Sequence, residues 1–158
     1  MAFDPKLQRQ IMGRFATGVT IVGTTIGGGG TWGMTANAVT SLSLDPPLVL
    51  VAVVRESQTH GYLKQARSFA VSILSDSHEE ISTRFASLGP KDFSGLLFKT
   101  AVTGAPILEE TIGWVDCRLK EILPGGDHDI FIGEIVAGEL RDGRPLLFYG
   151  GKYRRIAE

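Results

Sequence analysis

Thr31-Trp32-Gly33-Met34-Thr35-Ala36-Asn37-Ala38-Val39-Thr40-Ser41-Leu42-Ser43-Leu44-Asp45-Pro46-Pro47, leading directly into Leu48-Val49-Leu50-Val51-Ala52-Val53-Val54, is the stretch that decides the fold. Its first half is crowded with small polar residues, which leave backbone N–H and C=O groups accessible. Such a backbone can approach a flat polar heterocycle and hydrogen-bond along its edge. Taken alone, the spacing favours a polar, half-exposed strand and its turn. The second half is wholly apolar, the pattern of a strand buried on both faces or set in a barrel wall. Asp45-Pro46-Pro47 continues neither a helix nor a central strand and is expected to turn.

The glycine pattern invites a different fold. Gly28-Gly29-Gly30-Thr31-Trp32-Gly33 fits G-x-G-x-x-G, and Glu56 stands at a tolerable distance for a dinucleotide-binding unit. That unit needs a helix next. Residues 34–43 instead hold Thr35, Asn37, Val39, Thr40, Ser41 and Ser43, all weak helix formers, and the prolines follow. A Rossmann crossover is therefore rejected.

Upstream, Asp4-Pro5 is a helix start, and Leu7, Ile11 and Phe15 recur every four residues as its apolar stripe. Residues 19–25 read as a strand and Gly27–Gly30 as its turn. Downstream, residues 57–63 form a loop entering a short helix that ends near Arg67, and residues 69–74 form a strand. Asp76 or Ser77 is expected to cap a helix carrying Glu79 and Glu80 in its first turn. Its stripe is Ile81, Phe85 and Leu88, and Gly89-Pro90 stops it.

Residues 91–110 resist assignment, though Phe93 and Phe98 should be anchored. Val115, Cys117 and Leu119 then alternate with Asp116, Arg118 and Lys120, which places the charged set on the solvent face of a strand. Pro124 to Asp127 turns the chain into a long strand over residues 128–140. Asp142-Gly143 is read as a hairpin turn before a returning strand at residues 146–149. Antiparallel strands with helices at two places make a closed or split barrel.

Composition narrows the function. The 158 residues suit a single domain spanning 1–158, and the net charge of −1 gives no bulk attraction to nucleic acid or an anionic membrane. No apolar run is long enough to span a bilayer, and the N-terminus lacks a secretory pattern. One cysteine, Cys117, forbids an intrachain disulfide and a cysteine-rich metal site, so a cytoplasmic protein is expected, with no metal. His60, His78 and His128 fit no hydrolytic motif. Ser57 and Thr59 follow a strand and precede a helix, where hydroxyls and free N–H groups can converge on a phosphate, with Arg55 or another arginine supplying charge. Simple N-capping explains them as well.

In order along the chain, several blocks together resemble the flavin reductase-like family. They are Arg14-Phe15-Ala16-Thr17-Gly18-Val19-Thr20-Ile21-Val22, Gly33 to Leu48, Ser57-Gln58-Thr59, Phe69 to Leu74 and Arg84-Phe85-Ala86. Gly104-Ala105-Pro106, Gly126-Asp127-His128 to Ile135 and Pro145 to Tyr149 complete them. The T-A-N-x-x-x-S-x-S-x-x-P-P and G-D-H-x-x-x-x-G-E blocks are the specific ones.

The resemblance implies a mainly β fold, the FMN-binding split barrel, a Greek-key type antiparallel barrel with peripheral helices. It further implies a homodimeric oxidoreductase that passes hydride from NADH or NADPH to FMN or FAD, often serving a partner monooxygenase. By that likeness Met34, Thr35, Ala36, Asn37, Ala38 and Ser41 border the isoalloxazine, and Ser57 and Thr59 hold the flavin phosphate. Arg84, Phe85 and Ala86 lie near the flavin. His128, with Arg14 and Tyr153, lies on the nicotinamide side, where His128 orients the ring or aids proton balance. Pairing with Asp127 would equally make His128 a structural turn residue. Trp32 falls outside the pattern, and a flavin-binding or electron-carrier module without turnover is the alternative.

Overall fold

In the computed structural model, residues 2–157 are described; Met1 and Glu158, the ends of the expected domain, lie outside them. In chain order the elements are α1 (Pro5–Met12), β1 (Thr17–Gly18), β2 (Thr20–Ile26), β3 (Gly30–Ala36), β4 (Val39–Leu44) and β5 (Pro47–Val54). There follow α2 (Gln58–Ala66), β6 (Ser68–Ile73), α3 (Glu79–Ala86), β7 (Phe98–Lys99) and β8 (Ile107–Leu108). The last are β9 (Gly113–Gly125), β10 (His128–Leu140), β11 (Leu147–Tyr149) and β12 (Lys152–Arg154).

Seven strands form one antiparallel sheet in the order β3-β2-β6-β9-β10-β5-β4. Laid flat, six strand spacings would separate β3 from β4 by about 29 Å. Yet only Asn37 and Ala38 join Ala36 to Val39, and three peptide units reach at most about 11 Å. The sheet must therefore curl until its two edges meet, and it does so as a split barrel whose seam is the opening stretch of the sequence. Gly28-Gly29 turns β2 into β3 with both residues at positive φ, and a strand follows where a dinucleotide fold would need a helix.

Val22, Val49, Val51, Val53, Phe69, Val71, Cys117, Leu119 and Phe131 fill the barrel interior, with Leu63 of α2 joining them. β5 is a barrel wall, not a strand buried on both faces: Val49, Val51 and Val53 are buried while Leu48, Leu50 and Ala52 are only half-buried. A second core lies outside the barrel wall, where Val19, Ile21, Leu74, Phe85, Phe93, Leu108 and Leu146 pack together. β11 and β12 pair with β1 as a separate three-stranded sheet.

Four local expectations are corrected. α3 is capped by His78 with no side-chain bond, because Ser75, Ser77 and His78 Nδ1 bond one another and Asp76 N–H donates to Arg144 O. The helix ends at Ala86, so Leu88 leaves the stripe and is fully exposed; Lys91 Nζ instead covers the last carbonyls, those of Phe85 and Ser87. Asp116 is buried, not solvated, since Val102 N–H, Thr103 N–H and the Thr103 hydroxyl all donate to its carboxylate. Asp142-Gly143 makes no hairpin: Leu146 enters the second core, its N–H donates to Leu74 O, and β11 pairs with β1. Phe93 is anchored in that core, whereas Phe98 stays 40% exposed at its rim.

α1 forms as its Asp4 cap and Pro5 dictate, with Asp4 accepting from Lys6 N–H. It buries no residue against its own chain: Leu7 and Ile11 are exposed, and Phe15, expected on the same stripe, lies beyond the helix end at Met12, where Gly13 caps it, and is exposed too.

Candidate active site

The seam strands β3 and β4 are sheet edges, each paired on one side only within the barrel. β3 owes its approach to Gly33: a Cβ there would fall 2.7 Å from Phe85 Cε1 and 2.9 Å from Phe93 Cε1. Met34 packs on the barrel cluster. The Thr35 hydroxyl donates to Ser82 O at 2.6 Å, and Ala36 O accepts from the Thr20 hydroxyl at 2.7 Å. Asn37 and Ala38 are exposed between the edges; Asn37 Nδ2 donates to Thr17 Oγ1 at 3.2 Å, and Ala38 O accepts from Ala52 N–H at 3.0 Å. Ser41 is exposed further along β4, opposite Val49.

The Ala38 bond sets the seam beside the C-terminal end of β5, where a second group gathers. Val54 stands opposite His128, and Arg55 N–H donates to Asp127 O, so the 55–57 loop and the 126–128 turn lie side by side. Ser57 caps α2: its Oγ accepts from His60 N–H and donates to Val54 O. Thr59 is buried, and its hydroxyl accepts from Trp32 Nε1 at 2.9 Å. Both hydroxyls expected to face a phosphate therefore already have partners, and with His60 N–H spent on Ser57 Oγ the first-turn donors left at this helix end are the N–H groups of Gln58 and Thr59. His128 Nδ1 lies 2.6 Å from Asp127 Oδ1, and that hydrogen bond holds the Asp127 carboxyl below its ordinary range.

A third group lies beyond β3. Ser82 Oγ sits 2.6 Å from the Tyr153 hydroxyl, so Thr35, Ser82 and Tyr153 link β3, α3 and β12 in one chain of bonds. The Arg84 guanidinium donates to Asp92 O and Ser94 O, fixing the loop after α3, and lies over the Phe85 ring. Phe85 itself is only 1% exposed, so its ring belongs to the second core and not to the surface; Ala86 is exposed. Arg14 is exposed next to Gly13, whose carbonyl accepts from Gly150 N–H in the β11–β12 turn. A cleft of about 670 Å³ opens here, lined by Asp76, Ser77, Glu79, Glu80, Thr83, Arg84 and Arg155.

The structure thus gathers the sequence-selected residues along the seam and into two groups flanking it, one at the end of β5 beside Ala38 and one at α3 and β12 tied through Thr35. Trp32, His60, Ser82 and Asp129, whose Oδ2 lies 2.8 Å from His60 Nε2, belong to these groups although sequence reasoning assigned them no role. Trp32 had one legible signal, an indole N–H that needs an acceptor when covered. Cys117 lies inside the barrel, where burial pushes its thiol up to about 12.

The model of the family described as "Flavin reductase like domain" matches residues 12–157. The reductase subunit HsaB of a flavin-dependent monooxygenase from Rhodococcus jostii (strain RHA1) is 36% identical over 156 residues, covering 98% of this chain and 80% of that protein. FMN reductase (NADH) SmoA of Agrobacterium fabrum (strain C58 / ATCC 33970) is 38% identical over 149 residues, covering 94% of this chain and 84% of that one. The solved structure of Streptomyces globisporus C-1027 NADH:FAD oxidoreductase SgcE6, in complex with NAD and FAD fragments, matches with a TM-score of 0.89 at 35% identity. It covers 99% of this chain and 97% of that one.

Proposed function

The chain belongs to the flavin reductase-like domain family, and on that premise we propose that it reduces FMN or FAD with hydride from NADH and supplies the reduced flavin to a partner monooxygenase. The observation that carries this reading is the seam: two sheet edges of small residues, Thr35 to Ser41, meet beside the N-terminus of α2. Its donor set suits a flavin. Exposed edge backbone can bond the polar rim of a ring system, and helix N–H groups favour a phosphate. When bound, nicotinamide and flavin supply the hydride chemistry themselves, C4 to N5.

What remains for this chain is binding, orientation and exclusion of water. Met34 to Ala38 and Ser41 border the ring, and α2 holds the phosphate through its first-turn N–H groups with Ser57 beside them. Thr35 and Tyr153, both bonded to Ser82, keep β3 fixed relative to α3. His128 faces the other flank of β5, where its bond to Asp127 fixes the imidazole for the nicotinamide side. Arg84 and Ala86 act from α3, and Phe85 acts from below by packing under Gly33.

The assembly we infer is a homodimer. The unburied stripe of α1 and the exposed Phe15 just beyond it support it, since covering Leu7, Ile11 and Phe15 contributes roughly 1.5–3 kcal/mol for each side chain fully buried. No helix among the described residues is long and apolar enough to cross a membrane, and reduced pyridine nucleotide as substrate carries a cytoplasmic setting with it. The test is loss of NADH absorbance on adding FMN or FAD. Folded protein that oxidises neither NADH nor NADPH with either flavin would end this reading.

A further inference from the structure

The end of β5 holds a set of groups that hydride transfer leaves unused. Asp129 is buried on β10, and its two carboxylate oxygens go to different partners. Oδ2 lies 2.8 Å from His60 Nε2, and Oδ1 lies 3.5 Å from Arg55 Nε. His60 is wedged in place, its ring meeting Phe131 edge-on at 5.0 Å and its backbone N–H donating to Ser57 Oγ. Arg55 is tied again through its backbone, which donates to Asp127 O at 3.0 Å. One buried carboxylate therefore bonds the first turn of α2 and pairs with the arginine two residues before its cap.

Ser57 Oγ accepts from His60 N–H and donates to Val54 O, and Thr59 Oγ1 accepts from Trp32 Nε1; both hydroxyls are neutral and supply no charge. Charge to balance a phosphate at this helix end must come from another group. The Arg55 side chain is 57% exposed, against 13% for Asp129, so it is open to solvent while its Nε lies within ion-pair distance of the covered carboxylate. An arginine without such a hold samples many rotamers, and ordering it on a ligand costs entropy.

We propose that Arg55 is the phosphate-binding cation of the flavin site and that Asp129 is the positioning residue that holds it there, with His60 as the second arm of the clamp. This rests on the flavin reductase reading. The two conceivable effects of Asp129 have opposite signs. As a bare negative charge it weakens anion binding; as a clamp on Arg55 it strengthens it.

The experiment titrates FMN and riboflavin, which lacks the phosphate, into wild-type protein, Arg55→Ala, Asp129→Asn and the double variant. Flavin-dependent NADH oxidation by the wild type is established first. Arg55→Ala should weaken FMN about tenfold, the loss of one charge-assisted contact, while riboflavin changes less than about twofold. Asp129→Asn should weaken FMN several-fold and add nothing in the Arg55→Ala background. Arg55→Lys keeps the charge but loses Nε, so it should fall between wild type and Arg55→Ala; it carries the positioning test should Asp129→Asn fail to fold. An unchanged FMN-to-riboflavin ratio in Arg55→Ala, tighter FMN binding in Asp129→Asn, fully additive losses, or Arg55→Lys equal to wild type would each overturn the inference. Absence of turnover in the wild type would instead overturn the functional reading beneath it.

Discussion

Replacing Gly33 with alanine probes what holds the seam strand in place. The added Cβ would sit 2.7 and 2.8 Å from Phe85 Cε1 and Cδ1 and 2.9 Å from Phe93 Cε1. Carbon atoms in good contact stand about 3.5–4.0 Å apart, so something must move by about 0.6–1.3 Å. The rings have little room, since both are 1% exposed and their centroids are 5.0 Å apart. If β3 lifts instead, it strains the 2.8 Å bond from Gly33 N–H to Lys91 O and the 2.6 Å bond from Thr35 Oγ1 to Ser82 O. Overpacking of this kind costs about 1–3 kcal/mol. In a chain of this size each kcal/mol lowers Tm by about 2–4 °C, which gives a fall of about 2–12 °C.

Thermal melts report the first effect and flavin titration the second, because Thr35 lies on the displaced strand. Phe85→Leu alone should destabilise by opening a cavity, but combined with Gly33→Ala the two should cost less than their sum. A Gly33→Ala protein melting within 1 °C of wild type with unchanged flavin affinity would refute the packing argument. Full additivity with Phe85→Leu would refute it too.

Four further outcomes are expected. Thr59→Val should leave the Trp32 indole N–H without its acceptor, lowering stability by about 1–3 kcal/mol and shifting tryptophan emission; unaltered emission and Tm would contradict the bond. His128→Ala should return the Asp127 carboxyl to the ordinary aspartate range in an NMR titration. Because that carboxyl is depressed in the folded protein, the stabilisation from the pair is present above the unfolded value of about 3.9 and is lost as pH falls through the folded value. Cys117, buried and with its thiol raised to about 12, should resist thiol reagents in native protein and react only on unfolding; rapid native labelling would contradict its placement. Ile11→Asp should shift the sedimentation profile toward monomer, and an unchanged profile would remove α1 from the proposed interface.

Much of the fold was legible because local chemistry and tertiary structure agree. The Asp4-Pro5 start of α1, the glycine turn between β2 and β3 and the alternation of Cys117 and Leu119 with Arg118 and Lys120 in β9 each satisfy a rule read over a few residues. The errors fall where a distant segment supplies the missing partner. Alternation placed Asp116 in solvent, but the Val102–Thr103 loop covers that face and brings two N–H groups and a hydroxyl to it. Asp142-Gly143 has the composition of a hairpin, yet burial of Leu146 in the second core draws the chain across to β6.

The candidate site divides along the same line. The seam was visible because its small residues are consecutive, and closure of the sheet then brings its two edges together. The Asp129 clamp was invisible because its halves are 69 residues apart in the chain and meet only through the pairing of β5 with β10. Register makes the meeting obligatory: once His128 stands opposite Val54, Asp129 stands opposite Val53, and Arg55 must leave the strand beside the 126–128 turn. A slip of one residue would move the carboxylate to the other face of β10. It would part Asp129 from His60 and, in the same movement, take Phe131 out of the barrel. The packing that stabilises the barrel therefore also sets the spacing between the seam and the N-terminus of α2.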